Sequence, residues 1–139
     1  MKTRKHLSRG YSLIELAITL VVIAILASIA LPSYRQYILR SHRTDATRAL
    51  QDVAAREESY FFSNNAYTST LTDLGTSASA GGTYFQVQVA SASSTAYSVT
   101  ATAQGTQTQD VACTSFAINQ AGQQTSVGTG TAATCWGSQ

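Results

Sequence analysis

Beyond Arg56 the chain has no lysine or arginine. Its nine basic residues all lie between Lys2 and Arg56, and four of them (Lys2, Arg4, Lys5, Arg9) fall in the first ten positions. The outer part keeps Glu57, Glu58, Asp73 and Asp110, so it is uncharged to mildly acidic. That absence removes the electrostatic footprint expected of a nucleic-acid surface, and no direct nucleic-acid binding is expected. Catalytic raw material is equally scarce. Past the first ten residues there is one histidine, His42, and no Cys/His pair, metal-ligand cluster or Gly-rich phosphate loop accompanies it. No enzyme activity, cofactor or metal is therefore expected. Between residues 16 and 34 charge is missing altogether.

What is present is segregated. Residues 11–31 supply the roughly 20 mainly apolar positions that a membrane-spanning helix needs. The stretch is too long for most signal-peptide cores and lacks a small-x-small cleavage site followed by a polar start. The basic residues before it are expected to stay cytoplasmic, which places the C-terminal part across the membrane. There the compartment is oxidising. The only cysteines, Cys113 and Cys135, with 21 residues between them, would be free thiols in the cytosol; after export a disulfide becomes the favoured reading.

Glu15 interrupts the apolar run, and a carboxylate in hydrocarbon is costly. Two readings stand. It lies near the interface, snorkelling or protonated, or it pairs with a cation. If the chain is cut after Gly10, the new amino group of Tyr11 lies one helical turn away, and the amine of a neighbouring copy is a second candidate.

The string Gly10-Tyr-Ser-Leu-Ile-Glu15-Leu, preceded by a basic leader, resembles the prepilin motif of type IV pilins and type II secretion pseudopilins. So does Pro32 in Ala-Leu-Pro-Ser-Tyr at the end of the apolar run. The resemblance implies cleavage by a prepilin peptidase between Gly10 and Tyr11, N-methylation at Tyr11, and use of Glu15 in methylation and subunit docking. Two positions depart from the usual pattern: Tyr11 replaces the commoner Phe, and Ala24 stands where a helix-loosening Gly is often found. The spacing of Tyr34, Tyr37, Arg40, Arg43 and Ala46, the Asn-Asn-Ala-Tyr67-Thr stretch and the Cys-Trp ending look most like minor pilins of the PilE type.

Pro32 is expected to kink or loosen the helix. Helical periodicity then continues over 33–62. Ala46, Ala49, Leu50, Val53, Ala54, Tyr60 and Phe61 form an apolar stripe, with Asp45, Arg48, Asp52 and Arg56 on the opposite face. A helix from Tyr11 to Phe62 would be roughly 78 Å long. Tyr34, Arg35 and Tyr37 fit the membrane interface. Arg40 and Arg43 are read either as contacts to acids of neighbouring subunits or as solvated side chains. Ser63-Asn-Asn-Ala is the stop signal. Asp73-Leu74-Gly75 and Gly81-Gly82 read as turns, with Leu71 and Leu74 pinning the intervening loop to the core. Alternation at Phe85, Val87 and Val89, then at Tyr97, Val99, Ala101 and Ala103, predicts a hairpin. A third strand fits 113–118 and a weaker fourth 124–127. For residues 76–139 the alternative is disorder, given their Ser, Thr and Gly content.

The expected organisation is α+β. A leader (1–10) is removed; an apolar membrane and filament-core helix (11–34) follows; then comes a periplasmic head (35–139). The head comprises an amphipathic helix over 35–62, a loop over 63–82 and an antiparallel sheet of three or four strands over 83–139, closed by a C-terminal disulfide loop. The resemblance implies a type IV pilus subunit, minor rather than major. Its partners would be other pilin subunits, the prepilin peptidase, the inner-membrane assembly platform and the inner membrane. It would leave the inner membrane for an extracellular filament serving adhesion, twitching motility or DNA uptake. The alternatives are the major pilin of the pilus, which can be almost as short, and a type II secretion pseudopilin; pseudopilins commonly carry a Ca²⁺ site, and Asp73 and Asp110 are too few beyond the helix to build one.

Overall fold

The computed structural model describes residues 10–137; the expected leader, apart from Gly10, lies outside them. Helix α1 runs over Leu13–Asn64, 52 residues with Pro32 inside it. The chain forms two compact units, Met1–Arg35 and Gln36–Gln139, and α1 contributes to both.

In the first unit α1 is apolar all round. Its large side chains from Leu13 to Leu31 are between 49% and 88% exposed. The two hydroxyls in this stretch are closed onto the helix itself: Thr19 Oγ1 donates to Leu16 O (2.8 Å) and Ser28 Oγ to Ile25 O (2.7 Å). Such back-bonding removes the cost of a bare hydroxyl in an apolar medium. This helix is long and apolar enough to cross a membrane.

The second unit is built on the outer part of α1. Ala46, Ala49, Leu50 and Val53 recur at helical spacing and are buried, as the stripe required. They pack on a four-stranded antiparallel meander in the order β1-β2-β3-β4, with β1 Phe85–Ala92, β2 Tyr97–Ala103, β3 Ser115–Asn119 and β4 Gln124–Val127. The register pairs Val87 with Ala101 and Val89 with Val99, then Val99 with Ile118 and Ala101 with Phe116. One face thus collects Phe85, Val87, Val99, Ala101, Phe116 and Ile118 in the core, while Gln86, Gln88 and Thr102 stay exposed. Phe85 and Phe116 meet edge to face at 5.6 Å, and Trp136 continues the row at 5.9 Å from Phe116.

The helix stops where the two asparagines predict. Asn65 is left-handed (φ 54°) and its N–H donates to Phe61 O at 2.8 Å. Gly75 and Gly82 are also left-handed, matching the expected turns. Leu74 is buried and Leu71 packs against the same core.

The third strand starts at Ser115, later than the alternation indicated, because Cys113 sits in a turn whose N–H is donated to Asp110 O. The C-terminal loop contains a short helix, α2 Ala132–Trp136, capped by Thr131. Cys135 on α2 is bonded to Cys113, so the disulfide ties the tail to the start of β3.

Candidate functional site

The N-terminal residues marked by the motif fall within one unit. Gly10 has open space around it, and Tyr11 is 85% exposed. Ser12 caps α1: its Oγ accepts the N–H of Glu15 at 3.2 Å. Ser12 and Glu15 thus stand three apart at a helix start, the spacing of a capping box, which places the Glu15 carboxylate in the favourable first turn. The capping spacing was visible in Ser-Leu-Ile-Glu but masked by the stronger membrane signal. Glu15 is exposed, and among the described residues it has no ion-pair partner. Pro32 lies inside continuous α1.

The head is organised round a buried polar network that the sequence did not reveal. Arg43 grips Asp110 through two bonds, Nε to Oδ2 at 2.7 Å and Nη2 to Oδ1 at 2.8 Å. Both side chains are almost wholly buried. Arg43 is therefore neither solvated nor free for a neighbouring subunit; it belongs to its own core. Gln107 is also buried: its Nε2 donates to Leu39 O (2.9 Å) and Asp110 Oδ2 (3.3 Å), and its Oε1 lies 3.0 Å from His42 Nδ1. His42 stacks flat on Tyr84 with ring centroids 3.6 Å apart. The network fastens α1 to the 3₁₀ turn Gly105–Gln109, and Arg43 Nη1 reaches Thr134 O on α2. Only one sequence signal pointed this way: Asp110 is an isolated acid in an otherwise uncharged segment.

Glu57 is the second such case. The sequence counted it among the acids of the outer part, yet it is fully buried. Its Oε2 accepts the Thr68 N–H at 3.1 Å, while Oε1 has no partner. Burial raises its pKa above the usual carboxylate range, the Thr68 bond opposes this, and neighbouring Glu58 adds to it. Tyr97, beside the same acids, is pushed up to about 12, chiefly by burial.

Nothing in this arrangement resembles a nucleophile with its base. The described residues hold no group of three or more metal-ligating side chains. The chemistry is that of assembly: an uncovered apolar helix carrying one acid, joined to a head locked by a buried ion pair and a disulfide.

Comparison with known proteins agrees with that reading. Residues 5–31 match the model of the prokaryotic N-terminal methylation motif. Residues 32–117 match the family described as type IV minor pilin ComP, DNA uptake sequence receptor. Fimbrial protein EcpC of Eikenella corrodens is 32% identical over 102 residues, 73% of this chain and 67% of that protein. The type IV wide pilus major component PilA4 of Thermus thermophilus is 36% identical over 90 residues, 63% of this chain and 69% of that protein. The type IV major pilin protein PilE of Neisseria gonorrhoeae is 29% identical over 73 residues, 52% of this chain and 44% of that protein. Motif, fold and relatives converge, and the chain belongs to the type IV pilin family.

Proposed function

We propose that the chain is a minor subunit of a type IV pilus, made as a membrane-anchored precursor with its head on the periplasmic side. A prepilin peptidase cuts between Gly10 and Tyr11 and methylates the new amino group of Tyr11. The inner-membrane assembly platform then moves the subunit into the filament, where Glu15 offsets a Tyr11 amine. The observation that carries this reading is the contrast between the two units. A well-packed head is attached to a helical segment, Leu13 to Leu31, whose large apolar side chains are uncovered. Such a surface is stable only in lipid or against other subunits. The pairing role of Glu15 is supported by its unmatched charge at the mouth of that segment.

The test is assembly itself. Counting this chain against the other pilins in sheared filaments by mass spectrometry should find it at a small fraction of the total; stoichiometric abundance refutes the minor role. Gly10→Ala should leave the uncut precursor on a gel, and Glu15→Ala should insert in the membrane but lose N-methylation or incorporation. Methylated, normally piliated Glu15→Ala cells would refute the charge-pairing role.

The match to a family described as a DNA uptake sequence receptor favours DNA uptake as the process served. Within the second unit, Gln36 onward, Arg40 and Arg48 are the arginines without an ion-pair partner among the described residues. Two cations neutralise few phosphates, so the subunit serves uptake as a component of the filament. Duplex DNA binding by the purified chain that survives 200 mM salt would refute this limit and make it a receptor.

A further inference from the structure

The exposed face of α1 in the head carries two patches of opposite character. The inner patch is Arg40 with Thr44, one turn apart. Together with Thr47, Thr134 and Trp136 they line a groove of about 320 Å³ between α1 and α2. Arg40 is exposed and makes no ion pair among the described residues. The outer patch is Glu58 with Phe62, also one turn apart. Glu58 is exposed; among the described residues it accepts only the Tyr67 hydroxyl (3.2 Å) and makes no ion pair. Phe62 is 93% exposed, although the next residue back, Phe61, is packed on Tyr67 at 4.8 Å.

The spacing links the patches. Arg40 to Glu58 and Thr44 to Phe62 are both 18 residues apart. Eighteen residues are five full turns of an α-helix, about 27 Å, so both patches lie on the same face. Among the described residues no cation of the head is ion-paired with Glu58, and the chain has none beyond Arg56.

We infer that the occupant of the inner patch is the outer patch of a second copy of this chain. Two parallel copies that turn this face toward a common axis, one shifted along it by about 27 Å, place Glu58 of one beside Arg40 of the other. The same shift sets Phe62 against the Thr44 side of the groove, near Trp136. Unlike patches that meet in this way make a heterologous contact that does not close on itself, which is the contact an extending filament requires. The inference rests on the chain being a pilus subunit and adds that copies adjoin one another, so the subunit enters the filament in runs.

The test is a charge swap in cells expressing this chain, read as its amount in sheared pili. Arg40→Glu and Glu58→Arg should each lower incorporation at least fivefold, with the head still folded by its protease resistance in membranes. The double variant Arg40→Glu/Glu58→Arg should recover to within twofold of the unsubstituted chain. In a second arm, Arg40→Cys and Glu58→Cys chains are co-expressed. A mild oxidant should yield a dimer containing one of each, absent when either is expressed alone. Single reversals that incorporate normally, a double variant no better than the singles, or no mixed dimer in pili containing both chains would overturn the inference while leaving the pilus reading intact. Absence of the unsubstituted chain from pili would overturn both.

Discussion

Replacing Asp110 by alanine removes both carboxylate acceptors from the Arg43 guanidinium, leaving it only the long bond to Thr134 O, and removes one acceptor from Gln107. The Arg43 side chain is 10% exposed, so water does not replace what is lost. Breaking a buried pair from one side costs about 3–5 kcal/mol, because the remaining charge is stranded. For a head of this size each kcal/mol moves Tm by roughly 4–8 °C, so the fall should exceed about 12 °C. Arg43→Met should cost a similar amount, since Asp110 is then left with Gln107 alone. The double variant Arg43→Met/Asp110→Leu removes the charges together and should cost far less than the sum, with a coupling of at least about 3 kcal/mol. The assay is urea unfolding of the full chain in detergent micelles, followed by fluorescence. Trp136 is the only tryptophan and packs on Phe116, so its signal reports the head. Single variants that lose under about 1 kcal/mol, or losses that add in the double, would refute the assignment of this pair as the lock of the head.

Three further outcomes follow from the same structure. Glu57 has its folded pKa raised above its unfolded value of about 4.5, so its stabilising contribution is complete below that pH and is lost as pH rises through the folded pKa. Glu57→Gln should therefore match the parent near pH 4 and exceed it in Tm at pH 8; identical pH profiles would exclude a buried carboxyl. Cys113→Ser opens a loop with a sequence separation of 22 and should cost about 3 kcal/mol in the same urea titration; an unchanged midpoint would show that the bridge contributes nothing. Gly128 has φ 143°, and a Cβ there would collide with the Ala112 carbonyl. Gly128→Ala should lower Tm by several degrees through loss of the Thr129 and Gly130 bonds to Val111 O and Ala112 O, whereas Gly105→Ala, also left-handed but with open space, should cost less.

Legibility in the sequence followed the length scale of each signal. The apolar segment, the stripe on α1 and the four strands were written in periodicities of several residues, and Leu50, Val87 and Val99 are buried where those periodicities placed them. The asparagine stop at Asn65 was a local signal with a steric cause. Long-range polar partners were not legible. Arg43 and Asp110 are separated by 67 residues, and nothing in either neighbourhood names the other. Glu57 looked like one more surface acid because its burial depends on Thr68 folding back over it. Helix α2 escaped because five residues of Ala, Thr, Cys and Trp carry no period to read.

The self-bonded hydroxyls of Thr19 and Ser28 bear on how a subunit leaves its first environment. Every polar side group from residue 16 to residue 31 is already satisfied within α1. On the proposed route from lipid to protein neighbours, neither hydroxyl has to give up a hydrogen bond. On that route the apolar shaft meets a similarly apolar medium at both ends, and the proposed pairing of Glu15 is what distinguishes the filament from the bilayer.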